Sequence, residues 1–341
     1  MILFPEKVIG RWLVLFSSGV ILMVVLGGLV RLSGSGLSIV EWRVVTGVVP
    51  PLNERDWENE FQKYRRSPQY RKVNAGLSLK NFKFIYWMEY LHRLWGRITG
   101  LLFVVPFFIF FLKRLIPFKK TGVFWIIAGL ILLEAWMGWW MVQSGLIDKP
   151  AVSHYRLAIH FLVALLILGI SLWKGFQYLS LPETVADFTD RKSGRGLALP
   201  LLILVVLQMA WGALTAGLKA GHVSTTFPKL AGQWIPVDLL WSAHLAAMNF
   251  LENPFLVHFI HRWLAFVVLS LALGVFWILR HERDGSLKKS LWILLGLLGA
   301  QLLSGVGLIL FSVPWMLGSL HQLLGLLIFV VVLKIHFNLR H

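Results

Sequence analysis

Tyr86–Phe111 reads YWMEYLHRLWGRITGLLFVVPFFIFF, an almost wholly apolar and aromatic run with four ionisable side chains, Glu89, His92, Arg93 and Arg97, in its first half. About 20 residues of helix, rising ~1.5 Å each, cross the ~30 Å hydrocarbon layer of a bilayer, so this run is long enough to span one. Hydrocarbon offers no partner to backbone N–H and C=O groups, so the run pairs them internally as a helix. Ionisable groups inside such a helix are costly and by default mark function.

Seven further runs of similar length lie near 10–31, 122–142, 154–173, 197–219, 255–280, 291–311 and 316–335. The fold expected is therefore an all-α membrane protein of eight transmembrane helices. Composition excludes the soluble class: 57% of the 341 residues are hydrophobic and only 14% charged, against about a quarter in soluble domains. Seventeen tryptophans suit the zone where apolar core meets headgroups. The first run lacks a signal-cleavage pattern and is long enough to remain as a helix. There is no cysteine, which excludes disulfides, thiolate metal sites and Cys-ligated iron–sulfur clusters.

A net charge of +17 raises nucleic acid as a partner, but its distribution points to loops facing anionic lipid. The N-terminus, the even-numbered loops and the C-terminus hold sixteen lysines and arginines, among them Arg191, Lys192, Arg195 and Arg283. The short odd-numbered loops hold four: Lys149, Arg156, Lys219 and Lys229. The expectation is a bacterial inner-membrane protein with both termini cytoplasmic. The first external loop, about 33–85, is also basic, but long loops weigh little in that rule. Within it Asn53 and Asp56 resemble a capping box, and Trp57, Phe61 and Tyr64 follow at helical spacing. They predict a short helix lying on the outer membrane surface, either simply interfacial or covering an opening. Ser33–Gly36 (SGSG) lacks the Lys-Ser/Thr of a phosphate loop and reads as a helix-ending turn.

The two halves repeat. GGLVRLSGSG (Gly27–Gly36) matches GALTAGLKAG (Gly212–Gly221), and His92-Arg93 matches His261-Arg262. Glu134 and Gly138 match Gln301 and Gly305, and Ile159-His160 matches Leu320-His321, all in the same order. This predicts two pseudo-symmetric four-helix bundles, 1–180 and 181–341, related by a parallel repeat.

Four histidines are placed regularly within this plan. Counted from the starts of their runs, His92, His160, His261 and His321 fall about five to seven residues in, ~8–10 Å below the outer end at helical rise. Two histidines on neighbouring helices at one depth can ligate one porphyrin iron from both faces, so each half is expected to hold a heme toward the periplasmic side. His258, three residues before His261, shares its helix face and is a heme-pocket candidate. His154, His222, His244, His281, His336 and His341 fall off this pattern and are expected not to ligate. Glu89 stands three residues before His92, where the other half has His258, so a carboxylate belongs to only one pocket. Arg93 and Arg97 are placed to pair with heme propionates, or equally to sit as ordinary membrane-edge arginines. Glu134, mid-membrane opposite Gln301 in the repeat, suggests polar packing.

Several segments together resemble the heme A synthase family, in its cysteine-free mitochondrial and Gram-negative branch. They are GGLVRLSGSGLSIVEWRVVTGVVPP (Gly27–Pro51), EYLHRLWGRITG (Glu89–Gly100), MVQSGL (Met141–Leu146), LAIH (Leu157–His160), HRWLA (His261–Ala265) and HQLLG (His321–Gly325). Family members oxidise a methyl group of heme O to a formyl group through a hydroxymethyl intermediate, giving heme A for cytochrome oxidase. The resemblance implies that His261 and His321 bind a resident heme b and that His92 and His160 hold the substrate heme. It implies Glu89 as the carboxylate of the reaction, and heme O synthase and cytochrome oxidase assembly proteins as partners. It leaves a homo-oligomer open. Relatives tend to carry Gln where this chain has Glu134, and another branch carries a cysteine pair absent here.

Two other functions compete on the residues alone. A di-heme electron-transfer subunit needs two equivalent pockets, against which the single Glu89 counts. A heme transporter is disfavoured by the parallel repeat, since transporters commonly use inverted ones.

Overall fold

The computed structural model describes residues 3–42, 46–147, 150–180, 189–282 and 284–340, with backbone only at 3–5, 189–193 and 195. Of the residues read above, Arg43, Lys149, Arg283 and His341 lie outside these, and no side chain is described for Arg191, Lys192 or Arg195. Eight long helices are present among the described residues: α1 (Leu3–Leu32), α2 (Leu79–Leu112), α3 (Gly122–Leu146), α4 (His154–Leu179), α5 (Thr189–Gly217), α6 (Pro254–Leu279), α7 (Gly285–Leu310) and α8 (Trp315–Arg340). Each is long and apolar enough to cross a membrane, and no strand is found among the described residues. The chain is an all-α, multi-pass membrane protein.

The helix ends follow local chemistry. Gly34, at φ +69°, supplies the left-handed residue that closes α1, with Ser35 N–H reaching back to Val30 O at 2.9 Å. Asn53 caps the loop helix Glu54–Arg65 by accepting from Asp56 N at 2.9 Å, as its spacing predicted. Ser78 caps α2 seven residues earlier than the hydropathy predicted.

That extension has a physical reason. Trp57, Phe61 and Tyr64 of the loop helix bury their rings among Phe82, Ile85, Tyr86 and Tyr90 of α2. The first two turns of α2 (LKNFKFI) are therefore amphipathic, with Phe82 and Ile85 turned to protein. The loop helix likewise directs its buried face to α2, and not to lipid as the interfacial reading assumed. Three polar ties reinforce it: Tyr90 Oη donates to Val48 O (2.6 Å), Gln69 Nε2 to Gly34 O (2.8 Å) and Asn74 Nδ2 to Tyr64 Oη (2.7 Å). Lys63 reaches Glu60 at 2.7 Å and Glu41 at 3.2 Å. Burial alone would lower its ammonium, but the two carboxylates raise it above its ordinary value. Such half-exposed pairs add at most ~1 kcal/mol, so the aromatic cluster is the main adhesive.

The chain divides into two compact units, Trp12–Ser171 and Met1–Arg11 with Leu172–His341. The division runs through α1 and α4, not through the connecting segment. Packing explains this: Gly10 sits against Tyr178 and Leu179, and Trp173 lies edge-on to Phe337 at 5.2 Å. In the first unit Trp12 stacks near Phe103 and Phe124, donates to Leu102 O at 2.8 Å, and so seals α1 on α2 and α3. In the second, α6 packs on α5, α5 on α8 and α8 on α7, a four-helix arrangement cored by Leu201, Val268, Ala272, Leu294 and Leu326. Leu132, Trp277 and Leu303 remain exposed on helix surfaces, as lipid-facing positions do.

Candidate functional site

Each of the four predicted histidines rests against a glycine of a neighbouring helix. A Cβ built on Gly27 would stand 3.0 Å from the His92 ring, on Gly138 3.5 Å from His160, on Gly212 3.0 Å from His261 and on Gly305 3.2 Å from His321. At Gly27, Gly212 and Gly305 a side chain would crowd the ring, so these glycines let α1 approach α2, α5 approach α6 and α7 approach α8; at Gly138 the distance is that of ordinary contact. The sequence showed these glycines as repeat matches but not their task.

Helix register needs one correction. His160, His261 and His321 stand near the starts of α4, α6 and α8, whereas α2 begins at Leu79, so His92 lies about two turns further from its helix start. The two added turns are those packed on the loop helix.

In the second unit the ring centres of His261 and His321 are 6.4 Å apart with planes at 75°. An axial nitrogen sits about 2 Å from its metal, so two imidazoles on opposite sides of one ion have centres about 6 Å apart. The pair fits a bis-histidine heme on that measure. The tautomer fits too. Ser304 Oγ donates its one proton to Gln301 O at 2.8 Å, so toward His321 Nδ1, also at 2.8 Å, it is the acceptor. Nδ1 therefore carries the ring proton and Nε2 the lone pair, onto which the Gln301 amide donates at 3.2 Å. A ligating histidine has one nitrogen held by an acceptor and the other turned to the metal, so Nε2 becomes the ligand once the weak 3.2 Å contact from Gln301 gives way. Gln208 Nε2 donates to His261 O at 3.0 Å and steadies the opposite helix.

In the first unit His92 and His160 are electrostatic neighbours, and His92 Nδ1 is buried without a hydrogen-bond partner. Glu134 Oε1 lies 3.2 Å from His160 Nδ1, close enough for an ion pair but not in hydrogen-bond geometry, and both that nitrogen and Glu134 Oε2 are buried without a hydrogen-bond partner. The expected packing role of Glu134 is thus a direct contact with a pocket histidine. Among the described residues no group of three or more His, Asp or Glu could hold a metal ion, so the pairs stand as pairs.

Glu89 is buried and fully engaged. Its Oε2 accepts from Ser38 N (2.8 Å), Ser38 Oγ (2.7 Å) and Ile39 N (2.9 Å), and its Oε1 from Arg93 Nε (3.0 Å) and Nη2 (2.6 Å). Arg93 also donates to Ile39 O (2.9 Å) and Glu41 O (3.2 Å) and lies over the Trp42 ring. Arg93 thus joins Glu89 to backbone carbonyls, and the Glu89 carboxylate anchors the Ser38–Trp42 segment. The sequence did not show the loop that the pair grips. Arg97 lies half-buried one turn further along α2.

The second unit repeats the device with other atoms. Arg262 donates from Nε to His258 Nε2 (3.0 Å) and from Nη1 to Thr226 O (2.9 Å) and Lys229 O (3.2 Å). His258, the heme-pocket candidate, thus takes the place in this clamp that Glu89 takes in the other. His244 Nδ1 lies 2.6 Å from Ser242 Oγ.

The profile of the cytochrome oxidase assembly protein family (COX15-CtaA) matches residues 10–333, spanning all four histidines and both clamps. The chain belongs to this family. Among its relatives, the heme A synthase of Wolbachia pipientis subsp. Culex pipiens is 39% identical over 325 residues, 95% of this chain and 95% of that one. The heme A synthase of Nitrosospira multiformis is 37% identical over 98% of this chain and 94% of its own. The heme A synthase of Rickettsia felis is 35% identical over 98% and 99%. The family assignment thus rests on whole-length similarity, with no half of the chain unaccounted for.

Proposed function

We propose that this chain is a heme A synthase, an oxidoreductase that acts on the CH bonds of one methyl group of heme O and carries it to the formyl group of heme A. The observation that carries the reading is the pair of histidine pockets, one per unit, in a chain whose relatives bear that name along nearly its whole length. His261 and His321 hold resident heme b, and His92 and His160 hold heme O as substrate. When bound, heme b supplies redox chemistry.

The chain's own residues do the rest. Gly27, Gly212 and Gly305 fix the ring positions, and Ser304 fixes the His321 tautomer. Glu89 and Arg93 hold Ser38–Trp42 against α2 one turn from His92, which orients the substrate side of the pocket and limits water there. Glu89 is on this reading a positioning residue. The protein belongs in the bacterial inner membrane, with both termini cytoplasmic and the pockets toward the periplasmic side. A heme O synthase supplies its substrate, and cytochrome oxidase assembly proteins take its product.

Heme extraction and chromatography from the purified protein test the proposal. Heme B together with heme O or heme A is the expected result. Heme B alone, at two per chain, would instead make the protein a di-heme electron-transfer subunit.

A further inference from the structure

The two pockets differ in what holds the Nδ1 side of the histidine donated by the last helix of each unit. On α7, Ser304 takes the Nδ1–H of His321 at 2.8 Å. The matching position on α3, three residues after Glu134 as Ser304 is three after Gln301, is the buried Met137. A thioether is too weak an acceptor for that task. In its place Glu134 Oε1 lies 3.2 Å from His160 Nδ1. The substitution is paired: Gln301 with Ser304 in one unit, Glu134 with Met137 in the other.

We propose that Glu134 is the positioning residue of the substrate pocket: its carboxyl oxygen stands 3.2 Å from His160 Nδ1, and when heme O binds a small turn of the ring lets it accept the Nδ1–H, so that the Nε2 lone pair is presented to the iron. This rests on the functional reading above and deepens it. A carboxyl acceptor on Nδ1–H raises the basicity of the ligand and strengthens its donation to the metal. A serine hydroxyl that already donates elsewhere does so less. The pocket whose porphyrin is chemically altered is therefore given a stronger histidine donor than the pocket whose heme stays. Glu134 also leaves Oε2 buried and without a hydrogen-bond partner in an apolar helix, a cost that an ordinary packing residue has no reason to bear.

The test uses purified full-length protein loaded with heme O, comparing wild type, Glu134→Leu, Glu134→Gln, and Glu134→Leu combined with Met137→Ser. Readouts are retained heme O, the low-spin electron paramagnetic resonance signal and the midpoint potential of each heme. Glu134→Leu should bind heme O about 10–100-fold more weakly and raise the potential of what remains, by loss of the Nδ1 acceptor. Glu134→Gln, which keeps an acceptor oxygen, should retain heme O with a smaller shift. The added serine should restore binding, because it imports the acceptor of the other unit. Heme b should keep its signal and potential in all four proteins. Glu134→Leu with wild-type heme O content, spectrum and potential overturns this inference and leaves the function standing. A wild type that binds no heme O overturns the function and this inference with it.

Discussion

Arg262 donates from Nε to the Nε2 of His258 at 3.0 Å, four residues earlier on the same helix. Arg93 and Glu89 stand in the same relationship on α2, at 3.0 and 2.6 Å. Each arginine directly follows a pocket histidine, and each also grips carbonyls of the outer loop that ends beside it: Ile39 and Glu41 in one unit, Thr226 and Lys229 in the other. Glu89 and His258 are therefore two versions of one part. What the carboxylate adds is a second grip, since Oε2 also accepts two backbone N–H groups and a hydroxyl. The single carboxylate marks the unit whose loop is held from both sides.

Removing that grip should release the loop before it harms the bundle. Glu89→Ala leaves the largely buried Arg93 with carbonyls but no carboxylate, a loss of about 3–5 kcal/mol for a buried pair. Glu89→Gln retains the shape but only one acceptor oxygen for five donors. In both variants a cysteine placed at Val40, in a chain with no native cysteine, should react faster with a water-soluble maleimide than in wild type. Heme A yield should fall at least tenfold, at about 1.4 kcal/mol per factor of ten, while heme b remains bound. Unchanged labelling with lost yield would return Glu89 to a direct role in the chemistry.

The resident heme is the second prediction. His261→Ala or His321→Ala removes one axial donor and its packing, and the low-spin heme b spectrum should fall by more than half in each. The protein should still insert, because α6 and α8 keep their apolar length. A wild-type spectrum in both single variants would sink the assignment.

The eight helices were legible because hydrocarbon imposes one rule on every residue of a span, and the rule is visible in a single run of sequence. The pocket histidines were legible because the repeat set them side by side twice. What the sequence could not convey was which faces meet. Glu134 reads as a polar residue in an apolar helix, and only the approach of α3 to α4 at Gly138 brings it to His160. Ser304 is a small residue among many, and its repeat partner Met137 hides its task. The start of α2 was misplaced for a related reason. Phe82 and Ile85, interrupted by Lys80, Asn81 and Lys83, read as loop, and only their packing on the loop helix explains why α2 already includes them.

Orientation is the third prediction. Thr225 and Lys119 are exposed, on loops of opposite expected side. In intact spheroplasts an impermeant thiol reagent should label Thr225→Cys and spare Lys119→Cys until the membrane is opened. The opposite pattern would reverse the topology and put the heme pockets toward the cytoplasm.

The last prediction concerns residues that ligate nothing. Gly212 touches the His261 ring so closely that a Cβ would stand 3.0 Å from Cε1, and Gly27 repeats this against His92. A methyl group there forces either the ring or the helix to move, and overpacking of this kind costs about 1–3 kcal/mol. The contact is with the ring itself, so the displacement should appear as lost heme binding and not as unfolding. Gly212→Val should therefore weaken or abolish the heme b spectrum while leaving expression and heme O binding near wild type. Gly27→Val should do the reverse, sparing heme b and reducing heme O retention and heme A yield. Gly129 and Gly274 are controls, because a Cβ on either meets nothing within 4 Å. Their Val variants should keep both hemes. If Gly27→Val and Gly212→Val proved as silent as these controls, the four glycines would be repeat relics with no part in setting the histidines, and the match between glycine and histidine positions would lose its meaning for the pockets.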